Sequence, residues 1–316
     1  MSKTDLLPTP SDLTLCEIMD RFSTDEKARE YLEAIRWPNG KVCPHCKNGD
    51  ENKIWAIKPN GTKLIRQGLY QCGACKKQFT VTVGTIFESS HIPLRKWLIA
   101  WYLLCASKKG MSSLQFQRTL QLGSYRTALF MTHRIRHALR DPVFDKKMSG
   151  TIEADETYVG GKVRGQGMKA AMDAKTPVFS MVERGGNKRS IVMEPVNSKN
   201  LKEAIKAHVE PGSTIHTDEH RGYLGLKKDY KHESVCHNRG EYSRGDVTTN
   251  GVESSFALLK RGIVGTFHQI SKKHLPLYLA EFDFRWNQRK VTDGERTVAA
   301  LKKSEGKRLM YKDPIK

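Results

Sequence analysis

The sequence predicts a multidomain chain of mixed α/β class. A small cysteine-stapled β module and a helical region precede a larger domain built on a mixed sheet. Three observations carry this reading. Four of the seven cysteines form two Cys-x-x-Cys pairs with 25 residues between them. Apolar residues recur at helical spacing between residues 93 and 139. Beyond residue 150 the pattern changes to short β-like runs broken by Gly-containing turns.

Composition sets the limits. The chain has 316 residues, more than one domain's usual length, and 38% of them are hydrophobic, enough for real cores. It carries 54 Lys and Arg against 34 Asp and Glu, a formal charge of +20. Such an excess suits a polyanion, nucleic acid first, with a basic solubilising surface as the plainer alternative. The longest nearly apolar run, Trp97 to Ala106, is about half the length a membrane span needs. Met1 to Pro10 includes Lys3 and Asp5 and no hydrophobic stretch, so no signal peptide is expected. A soluble, cytosolic protein follows, and a cytosol disfavours disulfides. Cys105 lies in the apolar run and reads as core, while Cys16 and Cys236 have no nearby ligand partners.

Residues 1–40 are read as an N-terminal helical segment and 41–88 as a zinc ribbon. Cys43 and Cys46 form the first pair, Cys72 and Cys75 the second. Each pair can close a tight turn around a metal, eased by Gly49 and Gly73. Four thiolates make a closed tetrahedral site, the structural form of zinc. The stretch between them carries Ile54, Trp55, Ile57, Leu64, Ile65 and Leu69 around Asn60-Gly61, which predicts a hairpin turning there. A redox pair would present one Cys-x-x-Cys in a βαβ setting instead. His45, inside the first knuckle, is expected to point outward.

Residues 89–142 predict a helical region. Leu94, Trp97, Leu98, Trp101, Tyr102 and Cys105 mark a buried helix over 93–108. A short helix over 113–120, a turn at Leu122-Gly123-Ser124 and a longer helix over 125–139 follow the helix-turn-helix order. The longer helix carries Arg126, His133, Arg134, Arg136, His137 and Arg140, expected largely on one face. Arg126, Arg134 and Arg136 are the expected DNA-binding residues of a recognition helix. A helical bundle with a solvated basic face suits the same pattern.

Residues 148–295 predict the sheet domain, and 296–316 a basic C-terminal tail. Strands are expected over 151–159, 177–183, 190–196, 213–217 and 232–237, with an amphipathic helix over 200–209 and a long helix from about Thr249. The order β-β-β-α-β-β-α is that of a ribonuclease-H-like fold. Three carboxylates stand out by position: Asp155 within the first strand, Asp218 at the end of the fourth, and Glu253 in the first turn of the long helix. Lys260 follows Glu253 by seven residues, two helical turns, and shares its face. Carboxylates converging from separate elements suit hard divalent ions, and two such ions about 4 Å apart suit phosphodiester chemistry. Acids at strand ends are also common without such a role, and Glu153, Glu156 and Glu219 are immediate neighbours. In a strand, Glu153 shares a face with Asp155 while Glu156 points away.

From about Cys43 to Arg289 the sequence resembles bacterial insertion-sequence transposases of the DDE superfamily, in the group with an N-terminal zinc ribbon. Four blocks carry the resemblance. They are the cysteine knuckles with Phe79 to Phe87, Glu153-Ala154-Asp155-Glu156 through Lys162, His216-Thr217-Asp218-Glu219 with Gly222-Tyr223, and Asn250-Gly251-Val252-Glu253 through Asn287. The resemblance implies an RNase-H-like catalytic core in which Asp155, Asp218 and Glu253 hold two Mg²⁺ or Mn²⁺ ions. It implies that Lys260 contacts DNA near the scissile phosphate, and that one structural Zn²⁺ sits on the four cysteines. Some related members use an Asn as third ligand; Asn250 reads here as a helix cap, and Glu253 takes the ligand place. The implied reaction hydrolyses a phosphodiester at an element end, and the freed 3′-OH then attacks target DNA in line. The implied partners are double-stranded DNA, both terminal inverted repeats and target, and a second copy in a homodimeric or larger synaptic complex, without a membrane. A cytoplasmic, nucleoid-associated location goes with them. A transposase-derived DNA-binding protein without catalysis and a nuclease without strand transfer are the alternatives.

Overall fold

Local capping signals set where the first helices begin. Thr14 and Glu17 form a reciprocal capping box at α1 (Leu15–Arg21), and the Thr24 hydroxyl accepts the Lys27 N–H at the start of α2 (Asp25–Arg36). The computed structural model describes residues 13–58, 66–140, 146–161 and 175–310. The chain divides into two compact units, Met1–Leu139 with Lys290–Lys316, and Arg140–Arg289.

In the first unit, β1 (Ile54–Ala56), β2 (Tyr70–Cys72) and β3 (Gln78–Phe79) form an antiparallel sheet in that order. The turn expected at Asn60-Gly61 lies outside the described residues. The sheet is too small to hold itself, and its apolar support is the ring group Trp37, Tyr70 and Phe79, with centroids 5.8–6.0 Å apart. In α3 (Leu94–Ala106), Trp97, Leu98, Trp101, Leu104 and Cys105 are buried. The Trp97 Nε1 donates to Ser90 Oγ at 2.9 Å. Two packed helices follow, α4 (Ser113–Thr119) and α5 (Tyr125–Leu139), joined by a buried Ser113–Thr132 hydroxyl bond of 2.8 Å.

Two expectations are corrected in this unit. The first concerns α5. Only Arg126 of its three expected DNA-binding arginines is exposed; Arg134 is 5% and Arg136 0% exposed. The reason is packing. The Arg134 guanidinium lies over the Trp97 and Phe130 rings and donates to the Glu88 carbonyl at 2.6 Å. Burial, then the nearby Arg308, lower its pKa to about 10. Arg134→Ala is therefore expected to cost about 2–4 kcal/mol of stability, because a buried carbonyl loses its charged donor. Arg126→Ala is expected to stay within about 0.5 kcal/mol. Chemical denaturation of both variants checks this pair.

The second correction concerns the C-terminus. The reading of 296–316 as a basic tail misses a helix, Asp293–Lys302, opened by a Thr292/Glu295 capping box. It packs on α3 and α2, burying Thr297, Ala300 and Leu301, and Arg296 donates to the Cys105 carbonyl at 3.0 Å. A ten-residue helix whose buried face is Gly294, Thr297, Ala300 and Leu301 carries little hydrophobic signal on its own. The part of the tail beyond Met310 lies outside the described residues.

The second unit is built on a five-stranded sheet of order β6-β5-β4-β7-β8. Its strands are β4 (Thr151–Val159), β5 (Thr176–Glu183), β6 (Lys188–Val192), β7 (Thr214–Thr217) and β8 (Lys231–Ser234), with α6 (Ser198–His208) between β6 and β7. β4 runs antiparallel to β5 and parallel to β7. β6 stops short of the expected Val196, near Pro195, which has no N–H for a ladder. A two-stranded β9 (Ser243–Arg244) and β10 (Val247–Thr248) precedes α7 (Asn250–Gly262) and α8 (Leu275–Asn287). One core gathers Ile152, Ala154, Phe179, Met181 and Ile215 with Leu201 and Ile205 of α6. The other sheet face packs Val178 and Val182 against Leu259, Leu279 and Phe282 in one cluster and Val252 and Phe256 in another. This is a mixed-sheet, RNase-H-like domain behind a zinc ribbon and helices. Among the described residues no helix is long and apolar enough to cross a membrane.

Candidate active site and metal centre

β4 and β7 bring two of the acids abreast. Their parallel register pairs Glu153 with His216, and two residues further on stand Asp155 and Asp218. Asp218 follows the last residue of β7, and its Oδ1 accepts the His220 N–H at 3.0 Å. Glu253 stands in the first turn of α7. Its Oε1 accepts the Thr249 hydroxyl at 2.7 Å and lies 3.4 Å from His237 Nε2. Lys260 is exposed in the last turn of the same helix.

These three carboxylates are close enough to feel one another. Burial first, then the charges of Asp218, Glu156 and Glu253, push the Asp155 carboxyl up from 3.8 to about 7 against the opposing Glu156 N–H. The charged groups that move it are all carboxylates, an arrangement that a cation would relieve. Oxygen donors alone, from three separate elements, fit a hard divalent ion such as Mg²⁺ or Mn²⁺.

The shift has a consequence for stability without added divalent ions. In the unfolded chain Asp155 ionises near 3.8, in the fold only near 7. Below about 4 both states hold the proton, so nothing is lost. Between about pH 4 and pH 7 only the fold keeps the proton, so stability falls steadily as pH rises across that window, by up to about 4 kcal/mol in all, and levels off once the buried acid has ionised above 7. Asp155→Asn, neutral throughout, is expected to melt above the wild type at pH 8, with the gap narrowing toward pH 4. Thermal melts across that range read it directly.

The neighbouring acids are engaged elsewhere. Glu153 accepts the Gly251 and Val252 N–H groups at 2.6 and 3.2 Å, and Arg184 at 3.2 Å. Glu156 accepts the Tyr223 hydroxyl and lies 3.2 Å from His220 Nδ1. Glu219 accepts the His237 and Asn238 N–H groups at 2.9 and 3.1 Å. Asn250 does not cap α7: Thr249 occupies the cap position, the Asn250 N–H donates to Thr248 Oγ1, and the Gly251 and Val252 N–H groups donate to Glu153. The sequence places Glu153 on the Asp155 face and Thr249 just before the Glu253 helix, but the contacts of Glu153 with Gly251, of His237 with Glu253 and of Tyr223 with Glu156 join separate elements and carry no local signal.

In the first unit the Sγ atoms of Cys43, Cys46, Cys72 and Cys75 all lie within 4.8 Å of one another. Cys43–Cys75 is 3.7 Å and Cys46–Cys72 is 3.6 Å. Four thiolates around zinc at 2.3 Å stand about 3.8 Å apart, so the quartet has the size of that site. The two knuckles have the same construction. Lys47 and Lys76 take positive φ of 61° and 60°, and their N–H groups donate to Cys43 and Cys72 carbonyls. Gly49 and Gly73, expected to ease these turns, are not among the positive-φ glycines. The Cys75 N–H, then that of Ala74, bring the Cys72 thiol down to about 6, while, against the Asn48 N–H, burial and the other three thiols push Cys46 up to about 12, so without a cation the crowded sulfurs do not all ionise together. His45 Nε2 is 3.2 Å from the Gln78 carbonyl, with its side chain exposed.

Comparison with known proteins matches both units. Residues 23–78 match the transposase zinc-ribbon domain, and residues 147–287 match the ISXO2-like transposase domain. An uncharacterised protein in transposable element ISH50 of Halobacterium salinarum is 29% identical over 289 residues, covering 84% of this chain and 91% of that protein. An uncharacterised transposase-like protein of Haemophilus influenzae is 28% identical over 103 residues, 32% of this chain and 82% of its own. A chain of the cryo-EM structure of a simian T-cell lymphotropic virus intasome with PP2A regulatory subunit B56 gamma aligns with a TM-score of 0.28 and 14% identity, over 57% of this chain and 66% of that one. At that score it adds nothing to the fold described above. With a transposase zinc ribbon in its first unit and an ISXO2-like transposase domain in its second, the chain belongs to the zinc-ribbon insertion-sequence transposases.

Proposed function

We propose that the protein binds the terminal inverted repeats of a mobile element, cuts a phosphodiester at each end, and joins the 3′-OH to target DNA. The observation that carries this reading is that Asp218, just after β7, and Glu253, in the first turn of α7, both act electrostatically on Asp155 of β4, in a chain whose second unit matches a transposase domain. Two divalent ions held there would activate the attacking oxygen and neutralise the leaving one. The residues' own work is to present oxygen donors from three rigid elements. Lys260, exposed on the Glu253 helix, is proposed to hold a DNA phosphate beside the acids. One Zn²⁺ on Cys43, Cys46, Cys72 and Cys75 is proposed to hold the ribbon. The ribbon and α4–α5 are proposed to bind the element ends, with Arg126 on DNA phosphate. Arg126→Ala is then expected to weaken end binding and to reduce its salt slope by about one. Two ends must be paired, which needs a dimer or larger assembly.

The test is a strand-transfer assay with purified zinc-loaded protein, Mg²⁺ or Mn²⁺, a labelled 3′-OH end and supercoiled target. Joined product supports the reading. End cleavage without joining moves it to a nuclease. End binding without either reaction, under both metals, moves it to a non-catalytic DNA-binding protein.

A further inference from the structure

We infer that Glu153 and Glu156, on either side of Asp155, are positioning residues: β4 uses them to set where Glu253 and Asp218 stand relative to Asp155. The inference rests on the acid-site reading above. The two glutamates act from opposite faces of the sheet, as alternation along β4 requires.

Glu153 works on the α7 side. It is 4% exposed, and its Oε2 accepts the N–H groups of Gly251 at 2.6 Å and Val252 at 3.2 Å. A helix start leaves N–H groups without partners and carries partial positive charge, so a buried carboxylate there is held on both counts. Thr249, in the cap position, makes no side-chain capping bond of its own. Glu253 comes directly after Val252, so fixing the first turn of α7 fixes its position. The approach needs a glycine. A Cβ on Gly251 would stand 2.7 Å from Glu153 Oε2. Arg184 balances the charge at 3.2 Å and also donates to the Asp246 carbonyl at 2.9 Å, tying in the loop before α7.

Glu156 works on the opposite face. Its side chain is 9% exposed, its Oε2 accepts the Tyr223 hydroxyl, and its Oε1 lies 3.2 Å from His220 Nδ1. Tyr223 is 1% exposed within the core on that side. His220 and Tyr223 follow Asp218 in the chain, and the His220 N–H donates to Asp218 Oδ1. Glu156 thus anchors the segment that carries Asp218, one residue from Asp155. A purely structural bond would stabilise the fold and leave the acids' collective grip on a cation unchanged. A positioning bond would be felt in that grip, where partners of metal ligands are typically worth 10–100-fold in affinity.

The test uses zinc-loaded full-length protein and Mn²⁺ as the probe, with free Mn²⁺ followed by electron paramagnetic resonance. Melts and end joining are measured in parallel. Glu156→Gln, Tyr223→Phe and Gly251→Ala are compared with Asp155→Asn. The first three are expected to stay folded and to bind Mn²⁺ at least about tenfold more weakly. Joining falls at low Mn²⁺ and recovers at saturating Mn²⁺, because all three ligands are still present; Asp155→Asn does not recover. Folded variants with wild-type Mn²⁺ affinity overturn the inference. A loss from Glu156→Gln that saturating Mn²⁺ does not restore makes Glu156 a ligand and also overturns it. Should Glu156→Gln fail to fold, Tyr223→Phe decides, since it removes one oxygen and keeps the ring. Wild-type protein that binds no Mn²⁺ outside the cysteine site overturns the acid-site reading itself.

Discussion

Asp218→Asn protein is expected to bind element ends as the wild type does and to join none of them to target DNA. The substitution is nearly isosteric. The side chain keeps an acceptor oxygen for the His220 N–H, so the segment after β7 retains its bond. What it loses is the charge. Asp218 is the first of the carboxylates that raise Asp155, so the two lie within electrostatic reach of one another. A cation shared between them would lose one of its donors. The expected loss in joining rate is about a thousandfold or more, ~4 kcal/mol of transition-state stabilisation. The same strand-transfer assay reads it, with end binding by gel shift as the folding control. Joining at the wild-type rate would remove Asp218 from the site. Loss of end binding as well would mean that the variant had damaged more than the acids.

Removing the zinc, or changing Cys72 to Ser, is expected to unfold the ribbon. The strands β1, β2 and β3 are two or three residues long, and their shared core is a few rings. Such a sheet does not hold itself in water. Structural zinc on four thiolates is worth about 10–16 kcal/mol of folding free energy in small metal-dependent domains. The purified protein should carry about one tightly bound zinc. Stripping it should open residues 41–58 and 66–88 to protease and abolish end binding, and returning Zn²⁺ should restore both. Protein that contains no zinc when freshly purified, or that resists protease after stripping, would remove the metal from the fold.

Much of this molecule was legible from residue types at short range. The cysteine quartet was readable because each knuckle is closed by neighbours a few residues apart, and only the distance between knuckles had to be bridged. The succession of strands and helices in the second unit followed from alternation and turn residues, while the order of the strands across the sheet came from the structure. Asp155 and Glu253 stand at a strand and a helix start that local pattern locates, and Asp218 follows a strand end. The left-handed residues of the knuckles were misplaced by reasoning from glycine alone. Lys47 and Lys76 take that conformation, and the cysteine quartet closes around it.

By itself, then, the sequence determined the zinc-ribbon and mixed-sheet classes of its two main modules, the succession of elements in the sheet domain and the cysteine quartet, because periodicity and ligand spacing are local properties. Tertiary structure alone decided which basic residues face solvent, where the last helix docks, and how the acids are held. Arg134 is covered because Glu88 and Trp97 approach it from outside its helix. Arg136 sits wholly buried in the same helix. The start of α7 is capped by Glu153, 98 residues upstream, rather than by Asn250 at its own first position. A side chain's periodicity names the face it occupies. What covers that face is settled by elements distant in the chain, whose approach depends on the whole core packing at once.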